Sequence, residues 1–211
     1  MATIQWNGNS NDNGNIQPSQ SLMPHVFLLK PGSLRRDESD AILDARSSIT
    51  LIVSGSRKII VDTGLPGEDA HIADALSQRG LLPGDIDLLV NTHDHPDHTG
   101  NNYLFSNARL LHPCEGDIIA PGVKVILTPG HTLDSISLVI STCRYSNSEK
   151  IVIAGDALPT FDNYLKDVPP AVHVNRDIAI SSMTRIVRIA DIVIPGHDMP
   201  FSLLKRKYVK L

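Results

Sequence analysis

The chain has 211 residues, 41% of them apolar, which suffices for one ordinary core or two fused half-domains but not for two large independent domains. A net charge of -4 argues against a dedicated nucleic-acid binder, and two cysteines, Cys114 and Cys143, leave no room for a disulfide framework or a cysteine-built zinc site. No apolar run approaches the roughly 18 residues of a membrane span, so a soluble, cytoplasmic protein with no membrane partner is expected.

Residues 1–21 are rich in Asn, Gly, Ser and Gln and read as a disordered tail, with one domain over 22–211. The tail has neither the basic start nor the apolar centre of a signal peptide. From residue 25 onward short Ile/Val/Leu runs recur, each bounded by Gly, Pro, Asp or Asn: 25–30, 49–53, 58–62, 86–91, 108–112, 123–128, 136–142, 151–156 and 191–195. These predict strands. SGSRK (54–58) predicts a hairpin turn. Helices are expected over 67–79, where Ile72 and Leu76 are four apart, and over 176–190, where apolar residues recur at three and four. A short helix is expected from about 97 to 105. Residues 31–48 form a long connection or a flap. Two Pro-Gly-His corners echo each other, VKVILTPGH ending at His131 and ADIVIPGH ending at His197.

The stretch THDHPDHTG (92–100) puts three histidines and two aspartates into six positions. Pro96 disfavours helix just before it, so 93–95 should be extended, with His93 and His95 on one side. Asp97 and His98 then open the next helix. Imidazole and carboxylate at that density suit a first-row divalent metal, and crowding so many ionisable groups without a partner costs several kcal/mol. One tetrahedral ion cannot easily use them all, so two ions are the simpler account. His131, His197 and Asp156 each follow an apolar strand and could complete the set. Taken singly, each would pass for a solvated loop residue.

His93-Asp94-His95-Pro96-Asp97-His98 is an HxHxDH motif, followed in order by TPGHT (128–132), AGD (154–156) and PGH (195–197), and preceded by VDTG (61–64). With these, residues 25–205 resemble the metallo-β-lactamase superfamily. The stretches 79–101 and 190–201 carry the likeness furthest, toward a group with small microbial members. The resemblance implies an α/β chain folded as a four-layer αβ/βα sandwich. It implies Zn2+, two per chain, with iron possible. His93, His95 and His131 would hold the first ion, Asp97, His98 and His197 the second, and Asp156 would bridge them. Asp62 would sit buried behind the metal loop and accept its hydrogen bonds. His98 departs from zinc β-lactamases that have Arg there, and His95 from flavodiiron oxygen reductases, which have Glu. What remains resembles glyoxalase II, lactonases, RNase Z-type nucleases and persulfide dioxygenases.

The implied chemistry is hydrolysis by a metal-bridging hydroxide attacking a carbonyl or a phosphorus. Asp97 is expected to orient it, and so counts as catalytic as well as ligating. His173, in PPAVHVNRD, is a candidate proton donor outside the metal set, against the plainer reading of a loop histidine. An ester, lactone, thioester or β-lactam, or an RNA phosphodiester, could be the substrate, and a homodimer stays open. The rivals are a mononuclear iron persulfide dioxygenase and a non-catalytic binding module, the second disfavoured because all seven positions are filled.

Overall fold

The computed structural model describes residues 23–39, 41–144 and 147–211; the expected tail over 1–21 lies outside the described residues. The strands are β1 (His25–Lys30), β2 (Ser33–Arg36), β3 (Ile42–Arg46), β4 (Ile49–Ser54), β5 (Arg57–Val61), β6 (Leu88–Val90), β7 (Arg109–Leu111), β8 (Ile118–Ala120), β9 (Val123–Leu127), β10 (Ile136–Arg144), β11 (Asn147–Gly155), β12 (Ile192–Pro195), β13 (Phe201–Ser202) and β14 (Lys207–Tyr208). The helices are α1 (Asp69–Ser77), α2 (Pro96–Thr99), α3 (Phe161–Lys166) and α4 (Arg176–Ile189).

One sheet runs β1-β4-β5-β6-β7 and the other β14-β13-β12-β11-β10-β9-β8. Side chains alternate along each strand, and here both faces are apolar. Ile59, Val61, Leu88 and Val90 of the first sheet meet Leu138, Ile151, Ile153 and Ile194 of the second in a shared middle core. The residues between them, Ile60 and Leu89, face Ile72 and Leu76 of α1. Val152 and Val193 face Met183 and Ile186 of α4. Strands buried on both faces need helices outside, and helix, sheet, sheet, helix is the expected four-layer sandwich. β5, β6 and β7 run parallel, as do β11 and β12. The loops after β5, β6, β11 and β12 carry Asp62, the 92–98 stretch, Asp156 and His197, and C-terminal strand ends are where such sheets place ligand chemistry.

Three expectations change in detail. The helix expected over 97–105 is interrupted: α2 stops at Thr99 and a 3-10 turn follows at Asn102–Phe105. Asn101 lies between them, fully buried, its Nδ2 donating to Thr63 O at 2.6 Å and Leu65 O at 2.8 Å. Those bonds tie the chain to the loop after β5 instead of to another helical turn. The expected strand over 58–62 ends at Val61, because Asp62 takes φ 57°. The connection 31–48 is a hairpin, β2 paired with β3, with Leu34 opposite Ala45 and Arg36 opposite Ile42.

Candidate metal centre

β6 delivers the chain to the metal-type loop, and Pro96 sits at the first position of α2 with His95 extended before it (φ -72°, ψ 148°). As the spacing predicts, His93 and His95 share a side, with His93 Nε2 and His95 Nδ1 3.0 Å apart. His131, from the corner after β9, brings its Nε2 to 2.9 Å from the same His95 nitrogen. Three nitrogens held by one ion at bonds of about 2.0–2.1 Å would stand on the order of 3.3 Å apart.

A second group gathers beside the first. His197 Nε2 lies 3.1 Å from Asp156 Oδ2 and 3.5 Å from Asp97 Oδ2. His98 Nε2 lies 3.4 Å from Asp156 Oδ1 and 3.9 Å from Asp97 Oδ2. Asp156 also reaches back, its Oδ2 3.5 Å from His131 Nε2. Donor atoms of His93, His95 and His131, of Asp97, His98 and His197, and of His93, His98 and Asp156 lie within 4.8 Å of one another in each trio. The seven residues singled out in the sequence as ligands therefore meet at one place. Gly196 makes room for them, since a Cβ there would strike Asp156 Oδ1.

The far nitrogen of four rings is held from behind. His98 Nδ1 donates to Asp62 Oδ2 at 2.8 Å, and the same carboxylate accepts from Thr92 N at 2.7 Å and Thr92 Oγ1 at 2.8 Å. His93 Nδ1 stands 3.2 Å from that hydroxyl. His131 Nδ1 donates to Val172 O at 2.7 Å and His197 Nδ1 to Arg46 O at 3.0 Å. Fixing one imidazole nitrogen aims the other, as ligating histidines require. The inward atoms face one another in groups that could hold a metal ion. His98 Nε2 and Asp156 Oδ1 are buried and make no well-formed hydrogen bond, facing each other at 3.4 Å, an arrangement that a divalent ion between them would satisfy. The donor chemistry and these orphaned atoms fit a metal.

The electrostatics agree. Burial drives the His93 imidazole down to about 2, with His98 adding to the effect. Burial, then His131, also lowers His95. Both are neutral donors. Burial opposes charge on His98, yet Asp62 and Asp156 outweigh it and hold this ring well above its ordinary value. Asp156 is held well below its own, burial notwithstanding, by His197 and His98. Burial also opposes charge on His197, and Asp156 again prevails. The same carboxylates that favour charge on His98 and His197 would favour a cation beside them.

The donor atoms open onto a cavity of about 180 Å3 walled by Leu34, Ile42, Ala45, Pro159, Pro170 and Val172, with Arg36 at its rim. It continues past Leu34, Arg36 and Ala171 into a polar groove of about 590 Å3 that includes Asn163 and Lys166. One face of the β2–β3 hairpin roofs the cavity. His173 is not brought to it. Its Nδ1 donates to Pro170 O at 2.7 Å, and the neighbouring Val172 carbonyl, not the His173 ring, meets His131. Asp94 and Cys114 are exposed. Tyr164 stacks on Phe161 and Phe201 and belongs to the outer core. Sequence reasoning missed Thr92, Arg46 and Val172 as supports. Two of these act through backbone carbonyls, which no side-chain pattern announces.

The family model described as the metallo-beta-lactamase superfamily matches residues 44–121. A probable metallo-hydrolase of Methanocaldococcus jannaschii is 36% identical over 184 residues, spanning 82% of this chain and 86% of the relative. Metallo-beta-lactamase domain-containing protein 1 of Xenopus laevis is 29% identical over 227 residues, spanning 97% and 95%. The crystal structure of a quorum-quenching N-acyl homoserine lactone hydrolase superposes with a TM-score of 0.64 at 22% identity, covering 84% of this chain and 93% of that one.

Proposed function

Because the chain belongs to the metallo-beta-lactamase superfamily, and is a metal-dependent hydrolase on that ground, we propose that it is a di-zinc enzyme cleaving a small acyl compound: an ester, thioester, lactone or β-lactam. His93, His95 and His131 would hold one ion and Asp97, His98 and His197 the other, with Asp156 shared. Bound there, two zinc ions supply a water of lowered pKa and a Lewis acid.

The remaining work falls to the chain. Asp97, with Oδ2 facing His197 and His98, orients the water and can take its proton. The side chains of Asp62 and Thr92 keep the histidines in their productive tautomers. The apolar walls exclude bulk water and accept an acyl group.

The observation that carries the choice of a carbonyl substrate is the cavity. Its walls are apolar, and among the described residues Arg36 is the one Lys or Arg lining it. RNA binding is driven by many phosphate contacts to cations, which this cavity does not offer. Among the described residues, Arg36 and the proposed ligands are its only titratable lining, which favours leaving groups such as a thiolate that depart without a proton from the protein.

The test is to assay metal-loaded protein on thioester, lactone, ester, β-lactam and RNA side by side. Turnover of carbonyl compounds is expected, with kcat falling by about a hundredfold or more in Asp97→Asn. Cleavage of RNA with every carbonyl compound untouched contradicts the reading.

A further inference from the structure

Glu68, just ahead of α1, is 8% exposed and so far has no role. Its Oε2 accepts from Lys30 Nζ at 2.7 Å and from Leu65 N at 3.1 Å, and its Oε1 accepts from Arg46 Nη1 at 2.8 Å. Burial opposes the charge, but Lys30 and Arg46 outweigh it and keep the carboxyl below its ordinary value. Buried ion pairs are weak evidence for stability, since desolvation offsets most of the attraction. The position of this one is more telling.

Both halves of the second donor set trace back to Glu68. On one path its carboxylate packs against Gly64, where a Cβ would strike Oε2. Gly64 O accepts from Gly100 N at 2.9 Å, the residue that closes α2 just after Asp97 and His98. Asn101 Nδ2 donates to Leu65 O on the same loop. On the other path lies Arg46, whose carbonyl accepts from His197 Nδ1. Past Arg46 the chain is fastened along the His197 loop, Ser48 N donating to Gly196 O and Ser48 Oγ to Pro195 O, both at 2.7 Å. In the first donor set His93 is backed by Thr92 and His131 by Val172, neither of which touches Glu68, and His95 meets α2 only through its backbone carbonyl, which accepts from His98 N at 2.9 Å.

We propose that Glu68 is a positioning residue that clamps α2 and the His197 loop at the spacing required by the Asp97, His98 and His197 set, and does not act on the His93, His95 and His131 set. This rests on the reading that the two sets hold separate ions.

The experiment challenges metal-loaded protein with graded chelator and counts the metal retained per chain. Wild type should release metal in two steps, and the step missing from His197→Ala belongs to the second set. In Glu68→Gln that step should move to lower chelator, by less than the roughly tenfold or greater change that follows loss of a ligand's direct hydrogen-bond partner, while the other step holds. Arg46→Lys, which keeps a cation opposite Glu68, should move it less than Arg46→Met. Should Glu68→Gln not fold, Arg46→Met carries the same expectation. Two steps unmoved overturn the proposal, and so do two steps moving together, as general loosening would produce. A wild type that releases its metal in one step overturns the two-set reading underneath it.

Discussion

Asp62 shows how one buried side chain sets several others. At φ 57° it turns its carboxylate under the metal-type loop, where it accepts from Thr92 N, Thr92 Oγ1 and His98 Nδ1. Asp62→Asn keeps the shape but offers only one acceptor oxygen and presents N–H groups to Thr92 or His98. Hydrogen bonds to a charged group are worth about 1.5–3 kcal/mol, so a loss of roughly 2–3 kcal/mol is expected by denaturant unfolding of the metal-free protein. His98 should also lose its fixed tautomer and metal affinity should fall. His173→Ala, by contrast, should leave metal content unchanged, because that ring is turned to Pro170 O outside the cavity; loss of metal in that variant would contradict the placement. Four proposed ligands, His93, His95, Asp97 and His98, were legible in the sequence because five ionisable groups in six positions have few solvated explanations, whereas His131, Asp156 and His197 were picked out by the resemblance to the family's motifs. Their supports were not. Glu68 follows Gly64 by four residues with no spacing rule to mark it, and Arg46 and Val172 act through carbonyls that any residue would supply.

At the scale of elements, the β2–β3 hairpin is where substrate choice should reside. Leu34→Glu would put a carboxylate into an apolar wall facing Asp97 and Asp156. KM for apolar acyl substrates should rise by about tenfold or more, with metal content intact; an unchanged KM would remove the hairpin from the substrate's path. The latch between α4 and β9 offers a pH test. Arg185 makes a two-pronged pair with Glu115 and also donates to Leu127 O at 2.9 Å. The Arg185 bond, ahead of the opposing burial, holds the Glu115 carboxyl down to about 2. A depressed carboxyl stabilises the fold fully above its ordinary value of 4.5 and loses that contribution as pH falls toward 2. Both side chains are nearly half exposed, so solvent screening leaves about 1 kcal/mol or less. Glu115→Gln should flatten the acid limb of the stability curve by that amount. The strands β1, β4–β7 and β9–β12 were legible from their Ile/Val/Leu runs, while the three-residue β8 was not expected. The hairpin was not, because SLRR and ILDAR mix charge with apolar residues and one face looks into a cavity, not a core. The two-residue strands β13 and β14 are too short to carry any period.

For the whole molecule, the four layers place the strand ends so that the proposed ligands, far apart in sequence from His93 to His197, share one edge. Metal and proton then compete for that edge. In the metal-free chain His98 and His197 hold protons to higher pH than an ordinary imidazole. Their charged forms stabilise that state below the ordinary imidazole value of 6.5, and the contribution is lost as pH rises through the raised values. Ligation needs the neutral rings. Metal affinity should therefore climb with pH, and binding should release protons, which calorimetry in buffers of different ionisation heat would detect. A pH-independent affinity would mean that these two rings are not ligands. The most direct test of the two-ion centre is the metal content of protein expressed without added metal, measured by plasma mass spectrometry. About two zinc ions per chain are expected. One iron ion per chain would contradict the two-zinc hydrolase and point to oxygen chemistry at a single site.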